Sequence, residues 1–332
     1  MKRISAEYKT KKELIGLNKI PVVAVVGPTA SGKSDLAVEI CIRFGGEVVS
    51  ADSMQIYKGM DIATAKPTED EKKGVPHHMM DFLDNTEPYS VALYQQAAAE
   101  CIEDIYSRGK LPVIAGGTGL YIDTLLNNVK LSENSFDEEL RRSLLQRAQD
   151  EGAEILLEEV RAFDPEYAEK LHPNNVKRIV RALEVFRTTG TTMTEQAELS
   201  KQASPYESCI IGLDSEDRQF LYDRIDRRVD IMLERGLESE AREYIATANS
   251  STSAQAIGYK ELKPYFDGEI SREAAIENLK RATRHYAKRQ LTWFRRNECI
   301  NWLYIDKYQN KEDFVKDAFL IVEKFRKGER SE

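Results

Sequence analysis

An apolar run, Val22 to Val26, empties into Gly27-Pro28-Thr29-Ala30-Ser31-Gly32-Lys33-Ser34, which fits G-x-x-x-x-G-K-[ST] at every fixed position. Leu36, Ala37, Ile40 and Phe44 follow at helical spacing, so the pattern reads strand, glycine loop, helix. Average composition puts a chance match in a chain of this length at roughly one in a hundred. Gly27 and Gly32 let the backbone curl until several N–H groups point inward, and the helix start adds a positive dipole end. Lys33 supplies a point charge for terminal phosphates, and the Ser34 hydroxyl can ligate Mg²⁺. The motif predicts a di- or triphosphate ligand and leaves open which bond is broken.

The chain has 332 residues and a formal charge of −8, which argues against non-specific binding to nucleic acid. Cys41, Cys101, Cys209 and Cys299 are far apart and lack zinc spacing, so they read as reduced thiols of a cytoplasmic protein. The N-terminal stretch is charged, with no apolar region of a signal peptide, and no segment has the length of a membrane span. Residues 1–17 are predicted to be a flexible lead.

Glu47 to Ala51 reads as a second strand ending at Asp52, an acid at a strand's carboxyl end beside the phosphate loop, where doubly wound sheets gather ligands. The alternative is that Asp52 caps a following helix. Residues 57–88 carry little periodicity; His77 and His78 within them read as structural, without the further ligands that a metal needs. Tyr89 to Arg108 is predicted helical. Leu111 to Ala115 is a third strand, ending in a Gly-rich turn around Thr118. From 131 to 204 helical patterning dominates, with predicted helices at Phe136–Asp150, Ala153–Arg161 and Asn174–Arg187, and strand character returns at Cys209 to Leu213. These patterns predict an α/β fold: a phosphate-loop core of mostly parallel sheet at 18–130 and 205–332, interrupted by a helical insertion at 131–204.

Charge is unevenly spread. Residues 271–297 carry eight Lys or Arg against Glu273 and Glu277, a local +6 that leaves −14 elsewhere. Arg281, Arg284, Lys288 and Arg295 share a helical face, while Ile276, Leu279, Thr283, Tyr286, Gln290 and Trp293 trace a mostly apolar one. Lys177, Arg178 and Arg181 form a second basic cluster. Such stripes suit a polyphosphate backbone, and each alone is equally compatible with a solvated face. Three readings remain on the residues alone: group transfer to a nucleic acid from a small pyrophosphate ester, an ATP- and Mg²⁺-dependent small-molecule phosphotransferase with Asp52 as base, and an NTP-driven nucleic-acid switch. The basic clusters favour the first and third. The third lacks an identifiable water-positioning residue.

GPTASGKS, ADSMQIYKGMDIATAKP, VPHHMMD, AGGTGLY, HPNNVKRIVRALEV and KRQLTWFR, in that order over about residues 20–305, resemble the bacterial tRNA dimethylallyltransferases. That resemblance implies transfer of a dimethylallyl group from dimethylallyl diphosphate to N6 of adenine 37, next to the anticodon, in tRNAs that read codons beginning with U. It implies Asp52 as base, Thr118 at the substrate nucleotide and Arg224 on the diphosphate, with Arg228 as fallback. Residues 27–34 (Gly27, Pro28, Thr29, Ala30, Ser31, Gly32, Lys33, Ser34) would hold the diphosphate, with Mg²⁺ on Ser34. Contacts to tRNA are implied for Asp52, Ser53, Met54 and Gln55; for Thr118 and Arg141; for Lys177, Arg178, Ile179, Val180 and Arg181; for Lys288, Arg289, Gln290, Leu291, Thr292, Trp293, Phe294 and Arg295; and for Gln255 to Lys260. A monomer is implied. Relatives of eukaryotic type carry a C-terminal zinc finger, for which this chain has only Cys299. Relatives that prenylate free adenine nucleotides share the phosphate loop, and the tRNA-contacting segments argue against that alternative.

Overall fold

Alternate residues of the first strand, β1 (Ile20–Val26), enter opposite hydrophobic layers: Val22, Ala24 and Val26 face one, Val23 and Val25 the other. Burial on both faces explains why the strand is continuously apolar rather than alternating, as expected of a parallel sheet covered on both sides. The computed structural model describes residues 19–129, 137–199, 203–247, 253 and 256–329. The predicted lead at 1–17, residues 131–136 and 200–202 of the predicted insertion, and Gln255 lie outside the described residues.

On one side β1 pairs with β4 (Leu111–Gly116), and then follow β2 (Gly46–Ser50) and the two-residue β3 (His77–His78). On its other side lie β5 (Tyr206–Asp214) and β6 (Ile300–Tyr304). Every neighbouring pair is parallel. The chain leaves β1 in one direction for β2 and β4 and in the other for β5, so β1 lies at the switch point. Its carboxyl end is where a doubly wound sheet opens a crevice.

Helix α1 (Lys33–Phe44) covers one face with Leu36, Ala37 and Ile40 and ends at Gly45 in a left-handed conformation. α2 (Val91–Ser107), capped by the Ser90 side chain, and α3 (Gly119–Leu126) cover the other. The glycine-rich segment around Thr118 is a strand-to-helix turn, with α3 starting at Gly119. The aperiodic stretch 57–88 holds a one-turn helix at Glu69–Lys72 with a Thr68–Glu71 capping box. His78 meets the buried carboxylate of Glu47, which Arg108 and Lys110 also reach, so the histidine pair belongs to the sheet edge.

The chain divides into two compact units: residues up to Leu126 together with those from Ser204, and Asn127–Ala203. The second unit, where the sequence predicts an insertion at 131–204, is helical: α4 (Glu138–Asp150), α5 (Ala153–Phe163) and α6 (Val176–Thr189) enclose a core of Leu144, Leu156, Val160, Ile179, Val180 and Leu183. In the first unit, α7 (Arg218–Glu234), α8 (Leu237–Thr247), α9 (Tyr259–Phe266) and α10 (Arg272–Phe294) pack with the 54–63 loop around Ile56, Tyr57, Tyr259 and Leu279. α11 (Lys311–Arg326) closes the face covered by α1.

Candidate active site

The loop between β1 and α1 is a ring of constrained backbone. Ala30 adopts φ 63°, a conformation that costs an alanine about 1–2 kcal/mol, and its carbonyl accepts Arg224 Nε at 2.8 Å. Ser31 Oγ is buried and has no hydrogen-bond partner among the described residues. Lys33 Nζ donates to the Pro28 carbonyl at 3.1 Å. Burial, then the neighbouring Arg228, lower the Lys33 pKa to about 8, against the opposing pull of Asp52. Burial also depresses both Arg224 and Arg228, which project from successive turns of α7. Three neighbouring cations held at burial's expense fit a polyanionic ligand.

Asp52 follows β2. No helix begins there: its Oδ1 accepts the Met54 N–H at 2.9 Å and closes a local turn. Thr118 is tied to the same turn, its Oγ1 accepting Ser53 N–H at 3.0 Å and its own N–H donating to the Ala51 carbonyl at 3.1 Å. Burial, then Asp52, push the Tyr286 pKa up, against the opposing influence of Thr118 and Gln290.

A cavity of about 710 Å³ joins these parts. Lys33, Ser34, Asp52, Arg224 and Arg228 line it, and so do the apolar side chains of Met54, Ile62, Val229, Met232, Ile257 and Leu279. Spacing alone reads the α10 face of Leu279, Thr283, Tyr286 and Gln290 as buried backing. In the structure Leu279 and Gln290 are indeed buried, and all four residues also line the cavity. The 61–63 wall is fastened by Glu240, whose carboxylate accepts the N–H groups of Asp61, Ile62 and Ala63 at 2.9, 2.7 and 2.9 Å and the Tyr259 hydroxyl at 2.9 Å. Nothing in the local sequence around Glu240 marks it for that task.

Residues 55–297 match the family model described as IPP transferase, and residues 20–87 match the one described as isopentenyl transferase. The chain belongs to the IPP transferase family. It is 46% identical over 302 residues to the tRNA dimethylallyltransferase of Thermoanaerobacter sp. (strain X514), spanning 90% of this chain and 96% of that protein. The crystal structure of the full-length tRNA isopentenylpyrophosphate transferase from Bacillus halodurans superposes with a TM-score of 0.70 at 42% identity, covering 93% of this chain and 98% of that one. A eukaryotic dimethylallyltransferase described as acting on tRNA gives a TM-score of 0.81 at 32% identity, covering 93% and 80% respectively.

The IPP transferase fold distributes the remaining predicted residues unequally. Gln55 is buried and spent internally, accepting from Ser50 Oγ and donating to the Thr64 carbonyl. Ser53, Met54 and Gln55 all line the cavity. On α10, Lys288, Arg289 and Thr292 are exposed, Leu291 and Trp293 are half-buried, and Gln290 and Phe294 are buried. Arg295 forks onto Asp214 at 2.6 and 3.0 Å. The basic face of α10 is partly neutralised: Arg284 meets Asp226 of α7 and Glu277 of α10 itself, and Lys280 meets Asp230 of α7. In the helical unit Arg141 sits in the first turn of α4, while Lys177 and Arg178 are exposed at the start of α6. Ile179 and Val180 are buried in that unit's own core, so their side chains offer no surface to an RNA; Arg181 is half-buried against Glu184 at 3.0 Å. From Gly258 to Lys260 the chain starts α9, with Gly258 and Lys260 on the cavity. Among the described residues no three His, Cys, Asp or Glu side chains are grouped to hold a metal.

Proposed function

We propose that this chain transfers the dimethylallyl group of dimethylallyl diphosphate to N6 of adenine 37, beside the anticodon, in tRNAs that read codons beginning with U, and releases diphosphate. The observation that carries this reading is that Lys33 of the phosphate loop, Asp52 and a set of apolar side chains, Met54, Ile62, Met232 and Leu279 among them, line one cavity. A diphosphate ester with a short hydrocarbon tail needs that pairing of surfaces.

In this mechanism the loop N–H groups, Lys33 and Arg224 hold the donor diphosphate, with Arg228 beside them. The adenine amine is a weak nucleophile because its lone pair is delocalised into the ring. The target base leaves its stack to enter the cavity. Asp52 removes one N6 proton as nitrogen bonds to C1 of the donor, and the C1–O bond breaks with its electron pair passing to diphosphate. Thr118 steadies the acceptor nucleotide. The Ser34 hydroxyl would hold Mg²⁺, which would supply further positive charge to the leaving group. A single hydroxyl fits Mg²⁺, which in general takes few protein ligands and keeps several waters.

Residues Lys177, Arg178 and Arg181 of the helical unit, with Arg141, would grip the anticodon stem through its phosphates, and Lys288, Arg289 and Arg295 would do so from α10. The family resemblance carries the expectation of a monomer, to be measured by sedimentation. No helix among the described residues is long and apolar enough to cross a membrane, and the cytoplasm, where tRNA is modified, is the proposed place of action.

The experiment is incubation with radiolabelled dimethylallyl diphosphate and unmodified tRNA, with ATP plus a nucleoside in parallel. Label at the base beside the anticodon supports the reading, and Asp52→Asn should then slow transfer about 10²- to 10⁴-fold. No label in RNA, together with phosphate transfer from ATP, would sink it in favour of a phosphotransferase.

A further inference from the structure

Gln290 lies in the KRQLTWFR segment, whose implied role is contact with tRNA, yet it is 5% exposed and both ends of its amide are engaged. Oε1 accepts the N–H of Thr29 in the phosphate loop at 2.9 Å. Nε2 donates to the carbonyl of Gly117 at 3.0 Å. The fit leaves no room for another side chain: a β-carbon at Gly117 would lie 2.0 Å from Gln290 Nε2.

From Gly117 the chain of bonds continues. Thr118 accepts from Ser53, and the adjacent Asp52 accepts from Met54. One side chain therefore connects the loop that cradles phosphate to the turn that carries the proposed base. Glutamine suits this place because it presents one acceptor and one donor at the same reach. Glutamate would set a carboxylate against the Gly117 carbonyl, and methionine would fill the volume with no polar atom for either partner.

We infer that Gln290 is a positioning residue which fixes the phosphate loop relative to Asp52 and Thr118, rather than a contact to tRNA. The inference deepens the prenyl-transfer reading and rests on it for its kinetic consequence. Misplacing reacting groups by about an ångström costs on the order of 10²-fold in rate.

The test compares Gln290→Met and Gln290→Glu with the wild type in three measurements made below each variant's melting temperature. At saturating donor and tRNA, kcat should fall about 10²-fold in both variants. The Kd for tRNA, by filter binding, should stay within about two-fold, since the side chain is buried and uncharged. The Kd for inorganic diphosphate with Mg²⁺, by titration calorimetry, should rise about ten-fold, one lost hydrogen bond's worth or more. A rise in the tRNA Kd with kcat preserved would overturn the inference and return Gln290 to the RNA. Wild-type kcat and diphosphate Kd in both variants, whatever the melting temperature, would overturn it as well and leave only a packing role. If wild-type protein transfers no prenyl group at all, the proposed function fails, while the diphosphate titration still judges Gln290.

Discussion

Gly119 lies so close beneath the indole of Trp293 that a β-carbon on it would meet Trp293 Cδ1 at 2.2 Å. The same indole donates Nε1–H to Asp123 at 2.7 Å, so it is fixed from both sides. The first turn of α3, immediately after Thr118, is thereby seated against the last turns of α10. Gly119→Ala must push one of them away. Overpacking of this kind costs about 1–3 kcal/mol. A urea melt should report that loss together with a shift in tryptophan emission, and an unchanged melt would show that the contact yields easily.

Lys33 predicts a pH dependence of anion binding. Its pKa is lowered to about 8, chiefly by burial. Between about 8 and 10.5 the unfolded chain holds a proton that the folded one lacks, so this group's contribution to stability improves as pH rises through that window. A bound diphosphate favours the ammonium and raises the pKa, so binding takes up a proton above pH 8. The Kd for inorganic diphosphate should therefore be flat below pH about 7.5 and rise toward pH 9, by at most about ten-fold per unit. Lys33→Arg should remove that rise. A wild-type profile flat to pH 9.5 contradicts the assignment.

Arg224 and Thr118 are expected to act on different terms of the rate. Arg224→Ala removes a cation from the leaving group and the donor that holds the strained Ala30 carbonyl. It should cost on the order of 10²-fold in kcat, as loss of one charge-stabilising group typically does. Thr118→Ala should cost a similar factor while leaving inorganic diphosphate binding near wild type, because its hydroxyl is tied to the Asp52 turn instead. Equal loss of diphosphate affinity in both would refute the distinction.

Within the basic segment of α6, adjacent residues should separate cleanly. Lys177→Ala and Arg178→Ala should each lower the slope of log K against log salt for tRNA binding by about one, with little change in stability. Ile179→Ala removes a fully buried side chain from the helical unit's core and should cost about 2–5 kcal/mol of that unit's stability while preserving the slope. Filter binding over a salt series, with a denaturant melt beside it, distinguishes the two behaviours.

Glu240 gathers three successive N–H groups and the Tyr259 hydroxyl, and burial, then Glu240, raise the Tyr259 pKa. Glu240→Ala leaves those donors without their acceptor, a loss of about 1–3 kcal/mol. Because the 61–63 segment forms cavity wall, the KM for the prenyl donor should rise more than the KM for tRNA. Hydrogen exchange at Ile62 and Ala63 should accelerate, and protection left intact there would disprove the clamp.

Much of the core was legible because its signals are local. The apolar β1 run, the glycine loop and Asp52 after β2 are each written in a few consecutive residues, and a parallel sheet places all three at one edge. What was not legible depends on distant partners. The extent of α3 beyond the glycine turn is not marked, because Tyr121, Ile122, Leu125 and Leu126 are all buried and leave no amphipathic rhythm. The two-residue β3 exists only because Val48 and Val49 pair with it. Charge counting on α10 could not foresee that Asp226 and Asp230 of α7 lie opposite Arg284 and Lys280. Gln290 and Glu240 act across 261 and up to 179 residues of chain, so no window along the sequence contains both the side chain and the backbone it holds.

The first unit closes on itself where the helical unit departs. Ser204 Oγ donates to the Leu126 carbonyl at 2.6 Å, so the outgoing and returning ends are stitched together before Tyr206 enters the sheet. Residues 127–203 lie in sequence between these two ends, and the described ones among them have a core of their own. A lineage could lengthen, trim or exchange that lobe without rethreading a single strand, and the machinery for breaking a carbon–oxygen bond could keep its shape while its grip on the nucleic acid is rebuilt.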